Sequence, residues 1–209
     1  MSKLHYSEQG NVIPSLCEEL TYYRHARKVL HLPDTREPAT LYLLARSYPG
    51  NQTPLQLSIN GTELPGLRPL VPDIYFWYEA NIPASLIQDG ENVFEFWADA
   101  PAMNAWSLGL ETGHKDAGSF VSTDGGQTWR NEKLGYHNAS LGEYVVRVRL
   151  VEGQDARPPA MIWEHHDHPR LRRLGELLPD EARMPGATLQ RVSSMLTWVS
   201  TSWFYRNTG

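Results

Sequence analysis

The chain has 209 residues, of which 41% are hydrophobic and 21% are charged, with a formal net charge of -5. This composition is typical of a globular protein and excludes a disordered one, and the length suits one domain with an appendage. The charge predicts no concentrated basic surface, so nucleic acid is not an expected partner. The single cysteine, Cys17, excludes an internal disulfide framework.

The first ten residues, MSKLHYSEQG, contain no apolar stretch of the kind that a signal peptide needs. No later run approaches the roughly 18 apolar residues of a membrane-spanning helix. We therefore expect a cytoplasmic protein without a membrane partner.

Short alternating segments separated by turn residues follow from Leu20 to Leu150 and predict strands. The predicted strands are 21–32, 40–47, 74–81, 92–98, 105–111, 119–123 and 142–151, with a hairpin over 55–64 around Asn60-Gly61. Strands without an intervening long helix predict an antiparallel β-sandwich.

The predicted core follows from alternation. In the last strand, Tyr144, Val146, Val148 and Leu150 point one way, and Arg147 and Arg149 point the other. In the two aromatic-rich strands before it, the same rule assigns to the core Phe76, Tyr78, Phe94 and Phe96.

Four segments make up the predicted organisation of the chain: a leader over 1–19, the β-sandwich domain over 20–152, a linker over 153–168 and a helical extension over 169–209. The linker is rich in proline and charge. The extension contains a short helix over 169–178 with Pro169 in its first turn, and a terminal helix that Thr188 can cap. The apolar residues of the terminal helix have the spacing of one helical face: Leu189, Val192, Leu196, Val199 and Trp203.

Two passages of the predicted sandwich resemble galactose-binding-like jelly-roll domains. One is the hairpin LSINGTEL over 57–64, and the other is IPASLIQDGENVFEF over 82–96. The resemblance implies a jelly roll in which a turn of helix leads into a core strand. Such domains both bind sugars and serve as spacers.

The segment 188–209 resembles the entry helix of transglutaminase-like (cysteine peptidase-like) domains, which ends in an aromatic-rich stretch such as WFYRN. In that family the helix precedes a catalytic Cys, His and Asp, which this chain does not contain. The resemblance implies a non-catalytic accessory module that braces or targets such a domain. The contact with that partner would use Val192, Leu196, Val199 and Trp203.

The segment STDGGQTW over 122–129 fits the Asp-box pattern S-x-D-x-G-x-T-W, which is familiar from sialidase-type propellers. We interpret it as a structural hairpin. Asp124 can accept hydrogen bonds from the amides of its own turn, Gly126 can supply a positive φ, and Trp129 can fold back over it. Ser122 and Thr128 complete the pattern.

A second motif, EHHDH over 164–168, contains three imidazoles and two carboxylates. On a helix His165 and His168 would share a face, and they are the residues that a metal would use. Because no second cluster lies nearby in sequence, we expect a helix lead-in and no metal.

Alternation also predicts an outward face that combines indoles with charged groups. Its members are Trp77, Glu79, Glu95, Trp97, Arg147 and Arg149. Such a face can bind a sugar, because indoles stack on pyranose rings and charged groups bind hydroxyls. The alternative is cross-strand Glu–Arg pairing with the tryptophans covered by another part of the protein.

Catalysis has little support in the sequence. No G-x-S-x-G elbow, P-loop or dinucleotide motif is present, so we expect no enzyme and no cofactor. A glycoside-processing enzyme is the least favoured hypothesis and would have to use two carboxylates among Asp73, Glu79, Glu95 and Glu111. A stand-alone carbohydrate-binding module is the main alternative to the accessory module.

Overall fold

A computed structural model of the chain describes residues 2–7, 12–70, 72–112, 118–135 and 138–151. These residues all belong to one compact unit, Met1–Arg157. The unit is mainly β, and its strands pair antiparallel. A 3-10 turn spans Ala84–Leu86, and in the described part of the chain no helix is long and apolar enough to cross a membrane.

The described residues include twelve strands. Their bounds are β1 Ser2–His5, β2 Val12–Leu20, β3 His25–Leu32, β4 Ala39–Ser47, β5 Leu55–Ile59, β6 Thr62–Leu67, β7 Tyr75–Ile82, β8 Gly90–Ala98, β9 Trp106–Thr112, β10 Ser119–Ser122, β11 Gly142–Tyr144 and β12 Val146–Val151.

The strands form two sheets. The seven-stranded sheet has the order β1-β12-β4-β9-β11, with β2 added on β9 and β7 added on β4. The five-stranded sheet has the order β10-β3-β8-β5-β6. Buried apolar side chains from both sheets form one cluster, so the core lies between the sheets.

Strand β4 is the centre of the seven-stranded sheet. One of its edges pairs with β7. Its other edge pairs with β12 over residues 40–43 and with β9 over residues 45–47. Val145 lies where the two partners meet, because its N–H donates to the Gly109 carbonyl at 3.0 Å and its carbonyl accepts from Leu44 N–H at 3.0 Å.

Alternation places the predicted side chains in the core. Tyr78, Phe94 and Phe96 are buried, and Phe76 packs against them from a partly buried position. The predicted inward residues of the last strand are buried in the same cluster: Tyr144, Val146, Val148 and Leu150.

The predicted hairpin is confirmed at Asn60-Gly61. The φ angles are 49° at Asn60 and 80° at Gly61, as a type I′ turn requires. The Asn60 side chain accepts from Val93 N–H at 2.8 Å and donates to the Leu86 carbonyl at 2.8 Å, so the turn is joined to the 3-10 segment and to β8.

The structure differs from the predicted organisation at the start of the chain. The predicted leader 1–19 contributes β1, which pairs with β12, and β2, which pairs with β9. Two adjacent acidic residues, Glu18 and Glu19, interrupt the apolar alternation of β2, so the sequence pattern does not indicate a strand there. The predicted linker 153–168 and helical extension 169–209 lie outside the described residues.

Candidate binding site

The six residues predicted to share an outward face are divided between the two sheets. Trp77 and Glu79 lie on β7 and Arg147 and Arg149 on β12, all in the seven-stranded sheet. Glu95 and Trp97 lie on β8 in the five-stranded sheet. The single predicted platform is therefore wrong, because the chain crosses from one sheet to the other between β7 and β8.

On the seven-stranded sheet Glu79 is exposed, whereas the other three predicted residues contact neighbouring side chains. The Arg147 side chain is buried, and its guanidinium lies 4.8 Å from the Tyr6 ring centroid and 5.0 Å from the Trp77 ring centroid. Arg149 donates to Thr40 Oγ1 at 3.1 Å. One face of the Trp77 indole is therefore in contact with Arg147.

On the five-stranded sheet, Trp97 is half-buried and stacks on His25, with ring centroids 5.5 Å apart and planes inclined by 22°. His25 Nε2 lies 3.0 Å from the Tyr22 carbonyl oxygen. Burial lowers the pKa of His25 below its ordinary value, which favours the neutral imidazole on this surface.

Next to this pair, Arg27 binds Glu95 across the β3–β8 ladder. Its Nε and Nη2 both donate to Glu95 Oε1, at 2.9 Å and 2.6 Å. Within the described part of the chain, Oε2 of Glu95 and Nη1 of Arg27 have no hydrogen-bond partner. The two side chains are 25% and 28% exposed, so these atoms remain open to a ligand.

Trp129 completes the surface, because the Arg27 guanidinium carbon lies 3.8 Å from its ring centroid. We call these five residues the tryptophan array: His25, Arg27, Glu95, Trp97 and Trp129. The sequence did not predict His25, Arg27 or Trp129 as binding residues, although it predicted Trp129 as part of the Asp-box hairpin. The signal for His25 and Arg27 was the odd-numbered face of β3, where Arg27 is the register partner of Glu95.

The turn 122–129 holds Trp129 in this position. Asp124 Oδ1 accepts from the N–H groups of Gln127 at 3.1 Å and Thr128 at 2.9 Å, and Oδ2 accepts from Thr128 Oγ1 at 2.6 Å. Ser122 Oγ donates to Asp124 Oδ1 at 2.7 Å. These donors lower the pKa of Asp124 below its ordinary value, because they favour the charged carboxylate.

The same turn reaches the array through Gly126, whose φ is +84°. Trp129 Nε1 donates to the Gly126 carbonyl at 3.0 Å. A Cβ at Gly126 would lie 3.2 Å from His25 Nδ1 and 3.6 Å from the Trp129 ring. The glycine therefore lets the turn lie close to His25 on the outer face of the sheet.

Across the seven-stranded sheet, β-ladder partners form a transverse row of four polar residues, Glu19, Ser107, Arg46 and Tyr75. Glu19 Oε1 accepts from Ser107 Oγ at 3.2 Å and lies 3.9 Å from Arg46 Nη2. Tyr48 bridges the row, since its hydroxyl donates to Glu19 Oε1 at 2.5 Å.

Cys17 lies beside this row and donates to Glu19 Oε1 at 3.4 Å. Burial raises the pKa of the thiol above its ordinary value, and the Glu19 charge adds to the shift. A nucleophilic cysteine needs the opposite shift. The burial and the raised pKa of Cys17 are typical of a structural thiol.

The described residues contain no group of three or more His, Cys, Asp or Glu side chains that could hold a metal. His165 and His168, and the predicted partner contacts at Val192, Leu196, Val199 and Trp203, lie outside the described residues. Of the four carboxylates considered for glycoside chemistry, Glu95 lies on one sheet and Glu79 and Glu111 lie on the other.

Comparison with protein-family models gives no match, and comparison with curated proteins gives none. Among solved structures, the chain is similar to the cysteine protease and lectin-like domains of Cwp84, a surface layer associated protein of Clostridium difficile. The sequence identity is 12% and the TM-score is 0.45, and the match covers 71% of this chain and 35% of that one. The chain thus spans about a third of the length of that structure.

Proposed function

We propose that this protein is a non-catalytic carbohydrate-binding module with a jelly-roll sandwich of the galactose-binding-like type, and that the tryptophan array is its binding surface. The observation that carries the proposal is the open hydrogen-bonding capacity of Glu95 and Arg27 beside the half-buried indole of Trp97.

The array supplies the two kinds of contact that a sugar needs. The indole offers an apolar surface for the C–H face of a pyranose. Glu95 Oε2 can accept from a sugar hydroxyl, and Arg27 Nη1 can donate to one. Glu95 and Trp97 are two residues apart on one strand, a separation of about 7 Å, which suits one sugar ring.

The array is also preorganised. Arg27 is held between Glu95 and Trp129, and His25 is held between Trp97 and Gly126. Side chains fixed in this way lose little conformational entropy on binding, so more of the contact energy contributes to affinity.

Trp97→Ala should remove glycan binding while the domain stays folded. We expect affinity to fall at least about tenfold, because a central aromatic side chain carries much of the energy of a binding site. Isothermal titration calorimetry against galactose, lactose and cello-oligosaccharides measures the effect, and circular dichroism checks the fold.

The matched control is Trp77→Ala, which removes an indole from the other sheet. It should leave glycan affinity unchanged, although it removes the contact of Trp77 with Arg147. Equal affinities in the wild type and Trp97→Ala, or an equal loss in the two variants, would contradict the array as the binding surface.

We also propose an accessory role beside a transglutaminase-like domain, on the basis of the sequence resemblance over 188–209. The apolar residues Val192, Leu196 and Val199 would contact that domain. An isolated chain with this stripe uncovered should self-associate. Sedimentation velocity should show less association when the three residues are replaced by serine, and an unchanged distribution would count against the role.

A further inference from the structure

One edge of the seven-stranded sheet is open to a further strand. Strand β7 has eight residues, and within the described part of the chain it pairs only with β4. Its register with β4 is continuous along the strand, which contains no proline. Glu79 and Asn81 are exposed, so the C-terminal half of this edge faces solvent.

The other described edge strands have features that hinder such pairing. β1, β10 and β11 contain only three or four residues each. β2 and β6 pair irregularly with their neighbours, and β6 also contains Pro65 and Gly66. Short strands, bulges and prolines protect a sheet edge from another chain. β7 has none of these features, and it begins with four consecutive aromatic residues over 75–78.

The free edge of β7 presents the backbone groups of its odd-numbered residues. Leu44 N–H donates to the Val145 carbonyl at 3.0 Å, on the side of β4 that faces away from β7. Because the direction of hydrogen bonding alternates along a strand, Trp77, the register partner of Leu44, directs its N–H and carbonyl away from β4. Tyr75 and Glu79 do the same. These residues offer a regular row of donors and acceptors to an extended strand.

An antiparallel copy of β7 fits this edge when a twofold axis passes through Trp77. The two indoles then lie opposite each other, and each Glu79 lies opposite Tyr75 of the second copy. The Arg46 guanidinium lies 5.4 Å from the Tyr75 ring centroid. Its contact with Glu19 is 3.9 Å long and its side chain is 22% exposed, so it can attract Glu79 of the second copy. An axis through Glu79 would instead place two carboxylates opposite each other, which is unfavourable.

We infer that β7 is a self-association surface, through which two copies of this chain form one continuous sheet. The inference does not depend on the proposed function, because the tryptophan array lies on the other sheet. Each hydrogen-bonded residue pair exchanges two bonds, so the two strands share about six backbone hydrogen bonds. An interface this short is weak, and we expect a dissociation constant of about 50 μM.

Sedimentation equilibrium of the full chain, over about 5 to 500 μM, measures the dimer. Glu79→Pro should weaken it at least about tenfold, because proline removes an N–H that points to the free edge and leaves the pairing with β4 intact. The matched control is Glu63→Pro on the edge strand β6. The Glu63 N–H also points away from its neighbouring strand, because Thr62 and Ile59 are the bonded pair of the hairpin. This control should leave the dimer unchanged.

Glu79→Lys tests the same register without a proline. It places a lysine near Arg46 of the second copy and should also weaken the dimer about tenfold, and circular dichroism checks that each variant is folded. If the proline variant does not fold, the lysine variant decides.

Replacing Val192, Leu196 and Val199 by serine should leave this dimer intact, which separates it from association through those residues. A chain that stays monomeric over the whole concentration range overturns the inference. So does a dimer that persists in folded Glu79 variants, or one that Glu63→Pro weakens equally.

Discussion

Replacing Lys28 by methionine is expected to lower the free energy of unfolding by about 3 to 5 kcal/mol, which is the usual cost of breaking a buried ion pair from one side. Lys28 is 0% exposed and its partner Glu143 is 1% exposed. The lysine is on the five-stranded sheet and the glutamate on the seven-stranded sheet, so the pair joins the two layers. Urea denaturation followed by tryptophan fluorescence measures the loss.

Hydroxyl groups surround this pair, and they make it a network. Lys28 Nζ donates to Ser7 Oγ at 2.6 Å and to Ser119 Oγ at 3.1 Å. Ser119 Oγ donates to Glu143 Oε2 at 2.6 Å. When the lysine is removed, the carboxylate loses the charge partner that Lys28 supplies, while Ser119 still donates to it, so it stays buried at high cost.

The double variant Lys28→Met/Glu143→Leu is the control. Because it removes both charges, it should recover a large part of the stability that the single variant loses. A single variant within about 1 kcal/mol of the wild type, or a double variant whose loss is the sum of two single losses, would show that the two charges do not interact strongly.

Trp106→Ala is expected to cost about 3 to 5 kcal/mol, the range for truncation of a large aromatic side chain in a core. Trp106 is 0% exposed and packs edge to face on Tyr78 with ring centroids 5.0 Å apart. Its Nε1 donates to the Thr53 carbonyl at 2.7 Å. Thermal and urea unfolding measure the loss.

Trp106→Phe separates packing from the hydrogen bond. Phenylalanine retains most of the ring contact but removes the shorter of the two hydrogen bonds to the Thr53 carbonyl, which keeps Asn51 Nδ2 as a donor at 3.3 Å. We therefore expect a loss of about 1 to 3 kcal/mol. If the phenylalanine variant is as unstable as the alanine variant, the cavity is not the main cause of the loss.

The sequence predicted the strands that local alternation or local turn residues indicate. β12 alternates cleanly, and the hairpin at Asn60-Gly61 carries its own turn chemistry. β2 was not predicted, because its Glu18 is buried against partners outside the strand, one of which, Tyr144, is far away in sequence. Glu18 accepts from Arg24 Nε at 2.5 Å and from Tyr144 Oη at 2.7 Å. No local sequence pattern indicates that these donors offset the cost of burying the carboxylate.

The candidate site shows the same limit. Alternation correctly places Trp97 and Glu95 on the outer side of β8, but it cannot say which sheet a strand joins. Trp77 therefore seemed equivalent to Trp97, although it packs on Arg147 in the other layer. The contribution of Trp129 depends on a turn that folds onto Arg27, and that contact is tertiary.

The transverse row of Glu19, Ser107, Arg46 and Tyr75 has a consequence for how the seven-stranded sheet is assembled. Each residue is the direct cross-strand partner of the next, so the row is complete only when β2, β9, β4 and β7 are aligned together. A slip of β2 by one residue would turn Glu19 into the core and expose Leu20. The row therefore favours the correct register of the four strands over pairings that are shifted by one residue.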